Sequence, residues 1–194
     1  KEDYRRRYGL GFKLEYHLAN KLTFANRTNY NETDTKDTPY GSFRNWVDQN
    51  PYDRIFNEYG EPNRNLSWDN DNPMVEALLG NYSEGANKSL SNTTDVRWDI
   101  NDLFRIVGNF NISITDGNKE SYISPDSQIF KTEKDLNKKG RFERTTDKTV
   151  DWSGNINASF NKLTEDNSLL SLIIGGEIRK NRYETSTLKA AGFY

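Results

Sequence analysis

The sequence lacks several residue types and patterns, and each absence excludes a class of protein. It has no cysteine, which excludes disulfide bonds and thiolate metal sites. Its formal net charge is only −2, and with no basic stripe we expect no nucleic-acid partner. No apolar run reaches the roughly 18 residues that a transmembrane helix needs. The chain begins Lys1-Glu2-Asp3-Tyr4, which is not a signal peptide, so we interpret it as a mature protein or an excised piece of one.

The composition that remains is polar but rich in aromatic side chains. Hydrophobic residues make up 33% of the chain and charged residues 29%, and the mean hydropathy of −0.99 is low for a compact domain. Either disordered polar segments, or long hydrated loops joined to thin amphipathic strands, would explain these values. Aromatic residues make up 13%, and disordered chains are poor in them, so the composition favours loops and strands.

Period-two alternation is the strongest pattern, and it predicts about six strands, near 8–18, 22–30, 95–100, 104–114, 150–160 and 170–178. In each strand one face is apolar and the other carries ions and amides. We predict that the charged faces line a water-filled lumen, because an arginine or lysine facing lipid at mid-bilayer costs about 2–4 kcal/mol. The predicted lumen-facing residues are Lys13, Glu15, Arg27, Asp95, Arg97, Asp99, Arg105, Glu177 and Arg179.

The connections between these strands alternate between short and long. Short turns are predicted at 19–21, 101–102 and 163–167, and long loops near 31–87 and 116–149, with 182–194 irregular. Short helices are predicted at 41–47, with Ser42 as its cap, and at 73–79. This asymmetry is typical of an outer-membrane barrel, with short turns on the periplasmic side and long loops outside. The predicted fold class is therefore all-β, with antiparallel amphipathic strands forming a slice of a transmembrane β-barrel.

Several segments of the chain, in order, resemble one transporter family. They are Thr38-Pro39-Tyr40-Gly41-Ser42-Phe43, Asn50-Pro51-Tyr52-Asp53-Arg54, Asn72-Pro73-Met74, the Trp98 to Phe104 hairpin and Tyr122-Ile123-Ser124-Pro125. Together they resemble the SusC/RagA-like TonB-dependent outer-membrane transporters of the starch-utilisation-system type. The resemblance covers nearly the whole chain and depends on the order and spacing of these segments rather than on any one of them.

The resemblance implies an outer-membrane location and active import of oligosaccharides or other nutrients, peptides included. It implies a SusD-like surface lipoprotein as a lid, membrane lipid around the wall, and the TonB complex as the energy source. The family's N-terminal domain, TonB box and plug have no counterpart in 1–194, so the TonB complex would act through a missing N-terminal region. Six strands cannot close a barrel, of which the smallest has about eight, so residues 1–194 are predicted to be one partial barrel domain.

We find no motif that predicts an enzyme, a cofactor or a metal site. His17 is the only histidine, and no nucleophile–base pair can be built around it. Calcium would accept the oxygens of Trp68-Asp69-Asn70-Asp71-Asn72, but that segment lacks the glycine and the distal glutamate of an EF-hand loop. A solvated acidic turn is the favoured interpretation.

Aromatic residues in the long loops are the substrate-binding candidates. Flat rings stack on sugar faces, and neighbouring amides and carboxylates bind hydroxyl groups. The candidates are Trp46, Tyr52, Trp68 and Tyr82, for each of which packing within the loops is the alternative role. The alternative function is a soluble β-rich carbohydrate-binding or surface-interaction module, which would bury its apolar strand faces against a second layer.

Overall fold

The computed structural model describes residues 3–19, 21–37, 44–67, 71–166 and 168–192. It is all-β, with six antiparallel strands in one sheet and in chain order. The strands are β1 (Tyr4–Leu18), β2 (Leu22–Asp37), β3 (Tyr82–Asp99), β4 (Phe104–Ile123), β5 (Arg141–Leu163) and β6 (Leu169–Ala191). The helices are α1 (Arg44–Val47), α2 (Pro73–Leu78) and two 3-10 turns, Gln128–Phe130 and Leu136–Lys138.

The strands extend further than the alternation predicted. Residues 31–37 and 82–87 belong to β2 and β3, and residues 116–123 and 141–149 belong to β4 and β5. The connections at that end of the sheet therefore run only over 38–81 and 124–140. The prediction that 182–194 is irregular was wrong for 182–191, which belong to β6. Helix α2 lies where a helix was predicted, whereas 41–43, with the predicted cap, lie outside the described residues.

The pairing register gives the sheet two faces that keep the same parity throughout. Every residue pairs with a partner of the same parity in each of the five hairpin ladders. All even-numbered strand residues therefore share one face, here the even face, and all odd-numbered ones share the odd face. The predicted apolar and charged rows are thus continuous across all six strands.

An apolar band crosses the even face. It covers even residues in 8–18 of β1, 22–30 of β2, 90–98 of β3, 104–114 of β4, 150–160 of β5 and 170–178 of β6. One polar group interrupts it: Asn26, Thr28, Asn92 and Thr94 hydrogen-bond to one another across β2 and β3. Because these four side chains satisfy each other, the interruption leaves few unpaired polar atoms in the band.

The apolar band is inclined to the pairing direction. At the end of the sheet with the long connections, the band ends at Ile178 on β6 and at Tyr8 on β1. Followed through the five ladders, Ile178 is level with Leu14 on β1, which is six residues from Tyr8. At the other edge, Leu18 is level with Ile174, four residues from Leu170. Between β1 and β6 the band is therefore displaced along the strands by four to six residues, at about 3.3 Å each. These two strands are five spacings of about 4.8 Å apart, which gives an inclination of about 30–40°.

The sheet has no second layer over it. Among the described residues the buried hydrophobic side chains are Val75 and Phe130, and both lie in the connections. Within the apolar band Leu10 is 75% exposed. The accessible surface is 14239 Å², against about 9,500 Å² for a compact monomer of this mass. The only packed core in the described chain is therefore the small one between the two long connections.

Candidate functional site

The odd face carries a ladder of charge pairs in its central strands. Arg27 on β2 bonds to Asp95 on β3 at 3.0 Å. Asp99, at the end of β3, accepts from Arg97 at 3.0 Å and also from Arg105 on β4. The structure thus brings five of the predicted lumen-facing residues into two adjacent ion-pair groups, namely Arg27, Asp95, Arg97, Asp99 and Arg105.

The other predicted lumen-facing residues lie on the outer strands of the sheet. Lys13 and Glu15 pair with each other at 3.0 Å on β1. Glu177 and Arg179 lie on β6, the opposite edge strand, at the positions opposite Asn155 and Ser153. All share the odd face, whereas their exposure to a lumen stays a prediction.

A cavity of about 650 Å³ opens on the odd face, toward the ends of the strands that carry the long connections. Hydroxyl, amide and charged groups dominate its lining, which includes Arg5, Arg7, Thr35, Asn87, Lys119 and Asp147. No aromatic residue is among the described residues that line it. Such a lining suits a polar ligand held by hydrogen bonds rather than by ring stacking.

Asn72 joins the two long connections. Its side chain is fully buried and caps helix α2, with Oδ1 accepting from the Met74 N–H at 3.0 Å. Its Nδ2 group donates to the carbonyls of Ile55 at 2.8 Å and Asn63 at 2.9 Å. Its main chain exchanges two bonds with the Gln128 side chain, at 3.0 and 2.8 Å. The Asn72 side chain therefore holds three parts of the first connection together, and its main chain joins them to the second connection through Gln128.

The Glu76 carboxylate makes a second link. It accepts from Ser127 Oγ at 2.9 Å, from the Gln128 N–H at 2.8 Å and from Asn81 Nδ2 at 2.7 Å. Asn81 Oδ1 in turn accepts from the Ser124 N–H at 2.7 Å. We call the described parts of the two connections, 44–67, 71–81 and 124–140, the loop platform. Buried hydrogen bonds of this number fix its shape.

The predicted substrate-binding aromatics have different environments. Tyr52 is 93% exposed on the loop platform, whereas Trp46 in α1 is partly buried. Trp68 lies outside the described residues. Tyr82 begins β3 on the even face, opposite the predicted lumenal row, and donates to Glu120 at 2.7 Å. A substrate role for these four stays a prediction, and the position of Tyr82 favours a structural role for that residue.

The hydrogen bond to Glu120 also raises the pKa of Tyr82 to about 12. The ionised tyrosine could no longer donate this bond, and its negative charge would lie beside the Glu120 carboxylate. Its ring stacks on Tyr122 with centroids 5.9 Å apart. These contacts lie outside the apolar band and fasten the loop-bearing end of β3 to β4.

Sequence reasoning missed the buried polar residues of the loop platform and the exposed Tyr59. Tyr59 is 88% exposed and lies in the same connection as Tyr52. For Asn72 a signal existed, because asparagine followed by proline is a good helix start. For Gln128 and Glu76 none existed, because their partners lie roughly 50 residues away in sequence.

Two further features of the described residues bear on chemistry. No helix in the described part is long and apolar enough to cross a membrane. Across the same residues, no group of three or more histidine, cysteine, aspartate or glutamate side chains is placed to hold a metal ion.

Comparison with known proteins gives a likeness of fold. No family model matches the chain, and no curated protein matches it in sequence. Among solved structures the chain is similar to the RagAB peptide importer in its closed-closed state, with a TM-score of 0.68 and 13% identity. The match covers 98% of this chain and 22% of the importer chain. At that identity the likeness shows the fold alone, a sheet like one found within a transporter.

Proposed function

We propose that this chain forms part of the wall and external loops of an outer-membrane transporter that imports peptides or oligosaccharides with TonB energy coupling. The observation that carries the proposal is the inclined apolar band. Strands of transmembrane barrels tilt by about 35–45°, and their apolar band is about 25 Å tall. The band here is inclined by about 30–40°. On β4 the band extends over a ten-residue length of strand, which at that tilt covers about 25 Å of bilayer thickness.

The contrast between the faces supports the same arrangement. Lipid covers the apolar band, while the charge pairs of Arg27 with Asp95 and of Asp99 with its two arginines lie against lumenal water. A soluble module would bury the apolar band against a second layer. In the described chain no strand residue is buried, which disfavours the soluble carbohydrate-binding alternative.

Substrate and partners are inferred from the outer end of the sheet. The polar cavity near Arg5 and Arg7 would contact a hydrogen-bonding substrate entering the lumen. Fixed loops that expose Tyr52 and Tyr59 suit a protein lid, and we propose a SusD-like surface lipoprotein, as the family resemblance implies. The similar solved structure is a peptide importer, which supports peptides as one substrate class. The TonB complex would act through a region outside this chain.

Two neighbouring substitutions test the wall. Ile156→Arg places a charge in the middle of the apolar band on β5, at an expected cost of about 2–4 kcal/mol. Asn155→Arg places the same charge on the odd face, opposite Glu177, where it is expected to cost little. Urea unfolding of the full-length protein in lipid vesicles measures both. Equal costs for the two variants would contradict a lipid-facing even side.

An uptake assay tests the transport itself. Cells that lack the full-length protein should lose uptake of its labelled peptide or oligosaccharide, and removal of TonB should have the same effect. Growth on panels of short peptides and of oligosaccharides separates the two substrate classes. Unchanged uptake and growth on every panel would refute the import function.

A further inference from the structure

We propose that Arg7 and Lys119, with Arg5 beside them, bind the free carboxylate of a short peptide at the outer mouth of the lumen. The inference rests on the proposed import function and narrows its substrate class to peptides with a free carboxylate. All three residues line the cavity of about 650 Å³ on the odd face. They lie beyond the apolar band, toward the long connections, where an incoming substrate would first meet the wall.

The register builds this cavity from a floor of small residues between long cationic side chains. Two neighbouring rows cross the odd face from β1 to β4, namely Arg5–Thr35–Gly85–Lys119 and Arg7–Thr33–Asn87–Gly117. Gly85 keeps the floor low, because a Cβ at this position would meet Thr35 Oγ1 at 3.0 Å. Strands β1 and β4 are three spacings apart, about 14 Å, so Arg7 and Lys119 can contact one small anionic group lying over the floor.

These cations are available to an external anion. Arg5, Arg7 and Lys119 are exposed, and within the described chain none of them forms an ion pair or a side-chain hydrogen bond. The residues directly opposite them are all neutral, namely Thr35, Thr33, Gly85 and Thr145. By contrast, the arginines of the two central ion-pair groups are already occupied by Asp95 and Asp99.

The acidic residues that line the same cavity are not paired with these cations. Glu84 lies on the even face and pairs with Lys36. Asp147 on β5 accepts a hydrogen bond from the Tyr183 hydroxyl at 2.9 Å. Asp37 ends β2, and within the described residues neither it nor Asp147 forms an ion pair. Separate cationic and acidic groups complement the carboxylate and the ammonium group of a peptide with free ends.

The lining favours a peptide over an oligosaccharide. A guanidinium group binds a carboxylate through two parallel hydrogen bonds, and Arg5 and Arg7 are adjacent on the odd face of β1. Neutral sugars offer no charge to these groups, and the aromatic rings on which sugars stack are absent from the described lining. The hydroxyl and amide groups of Thr33, Asn31 and Asn87 can bind the N–H and C=O groups of a peptide.

Binding of a random pentapeptide mixture without aspartate or glutamate, measured on the full-length protein in detergent, tests this site. The mixture is used once with free carboxyl termini and once with amidated termini, which carry no negative charge. Mass spectrometry after gel filtration quantifies the bound peptide. The wild type should prefer the free-carboxylate mixture by about 10- to 100-fold, as charged hydrogen bonds imply. In R7Q/K119Q this preference should vanish, whereas unchanged binding of the amidated mixture would show that the variant is folded.

The charge-matched control is K148Q/K180Q, which removes two cations from the even face and should keep the wild-type preference. Equal binding of both mixtures by the wild type, an unchanged preference in R7Q/K119Q, or an equal loss of both mixtures in that variant would overturn the proposal. Binding of acidic oligosaccharides without binding of peptides would also overturn it. TonB-dependent uptake without any carboxylate preference overturns this site alone, whereas no uptake of any peptide or oligosaccharide overturns the import function as well.

Discussion

Replacing Asn72 with alanine should loosen the loop platform while leaving the sheet intact. The substitution removes the helix cap on Met74 and leaves the carbonyls of Ile55 and Asn63 without the donor that they share. A lost cap costs about 1 kcal/mol, and the Asn63 carbonyl left without its donor costs about 1 kcal/mol or more, whereas the Ile55 carbonyl still accepts from the Asn63 N–H. The local opening free energy should therefore fall by about 2–4 kcal/mol, which is roughly a 30- to 1,000-fold change in the opening equilibrium.

Hydrogen exchange measured by mass spectrometry reads this change directly. Amides in 74–79 should exchange faster in Asn72→Ala by that factor, while those of β4 keep their wild-type rates, and those of 126–131 change less because Gln128 bonds to the main chain of residue 72. Asn65→Ala is the matched control, because Asn65 lies on the same connection and is exposed. Wild-type exchange in 74–79 of the Asn72→Ala variant would refute the role of this side chain in holding the first connection together.

Three further predictions concern other residues. An alkaline absorbance titration of Tyr82→Phe should lack the tyrosine that ionises near pH 12. In the wild type the bond to Glu120 stabilises the fold below pH 10, and this stabilisation is lost between pH 10 and 12; the variant should lack it at every pH. An unchanged titration would contradict the bond. Tyr52→Ala should weaken binding of lid or substrate by about 1–3 kcal/mol in calorimetry if this ring is a contact, by analogy with base stacking on aromatics; wild-type affinity would leave Tyr52 without that role. Asp95→Asn should cost less than about 1 kcal/mol in urea unfolding, because its pair with Arg27 is hydrated; a loss several times larger would contradict a watery odd face.

The strand faces were predictable because apolar and polar residues alternate with period two in the central part of each strand. In β1, for example, the sequence alternates between the apolar Leu10, Phe12 and Leu14 and the intervening Gly11 and Lys13. The structure confirms the six antiparallel strands. The outer halves of the strands carry no such signal, because both of their faces are polar. There Lys36 pairs with Glu84, and pairing between strands maintains the extended conformation. The alternation therefore stops before the strands do.

The loop platform was less predictable for a different reason. Its stability depends on contacts between distant segments, such as Asn72 with Gln128 and Glu76 with Ser127. Such pairs carry no local periodicity, and only the register of β3 and β4 brings the two connections together. The aromatic candidates were chosen by composition, which identifies exposed rings such as Tyr52 but does not show which face a ring such as Tyr82 occupies.

The measurement that tests the central claim most directly compares two adjacent isoleucines on β6. Ile173 is 68% exposed and Ile174 is 72% exposed, and they lie on opposite faces of the sheet. Ile174 lies in the middle of the apolar band on β6, and Ile173 lies at the same height on the odd face. Spin labels placed singly at these positions, in the full-length protein in lipid, would be scored for collisions with oxygen and with a water-soluble nickel complex. The proposed wall predicts an oxygen-accessible, nickel-protected label at 174 and a nickel-accessible label at 173. The reverse pattern, or the same pattern at both positions, would contradict it.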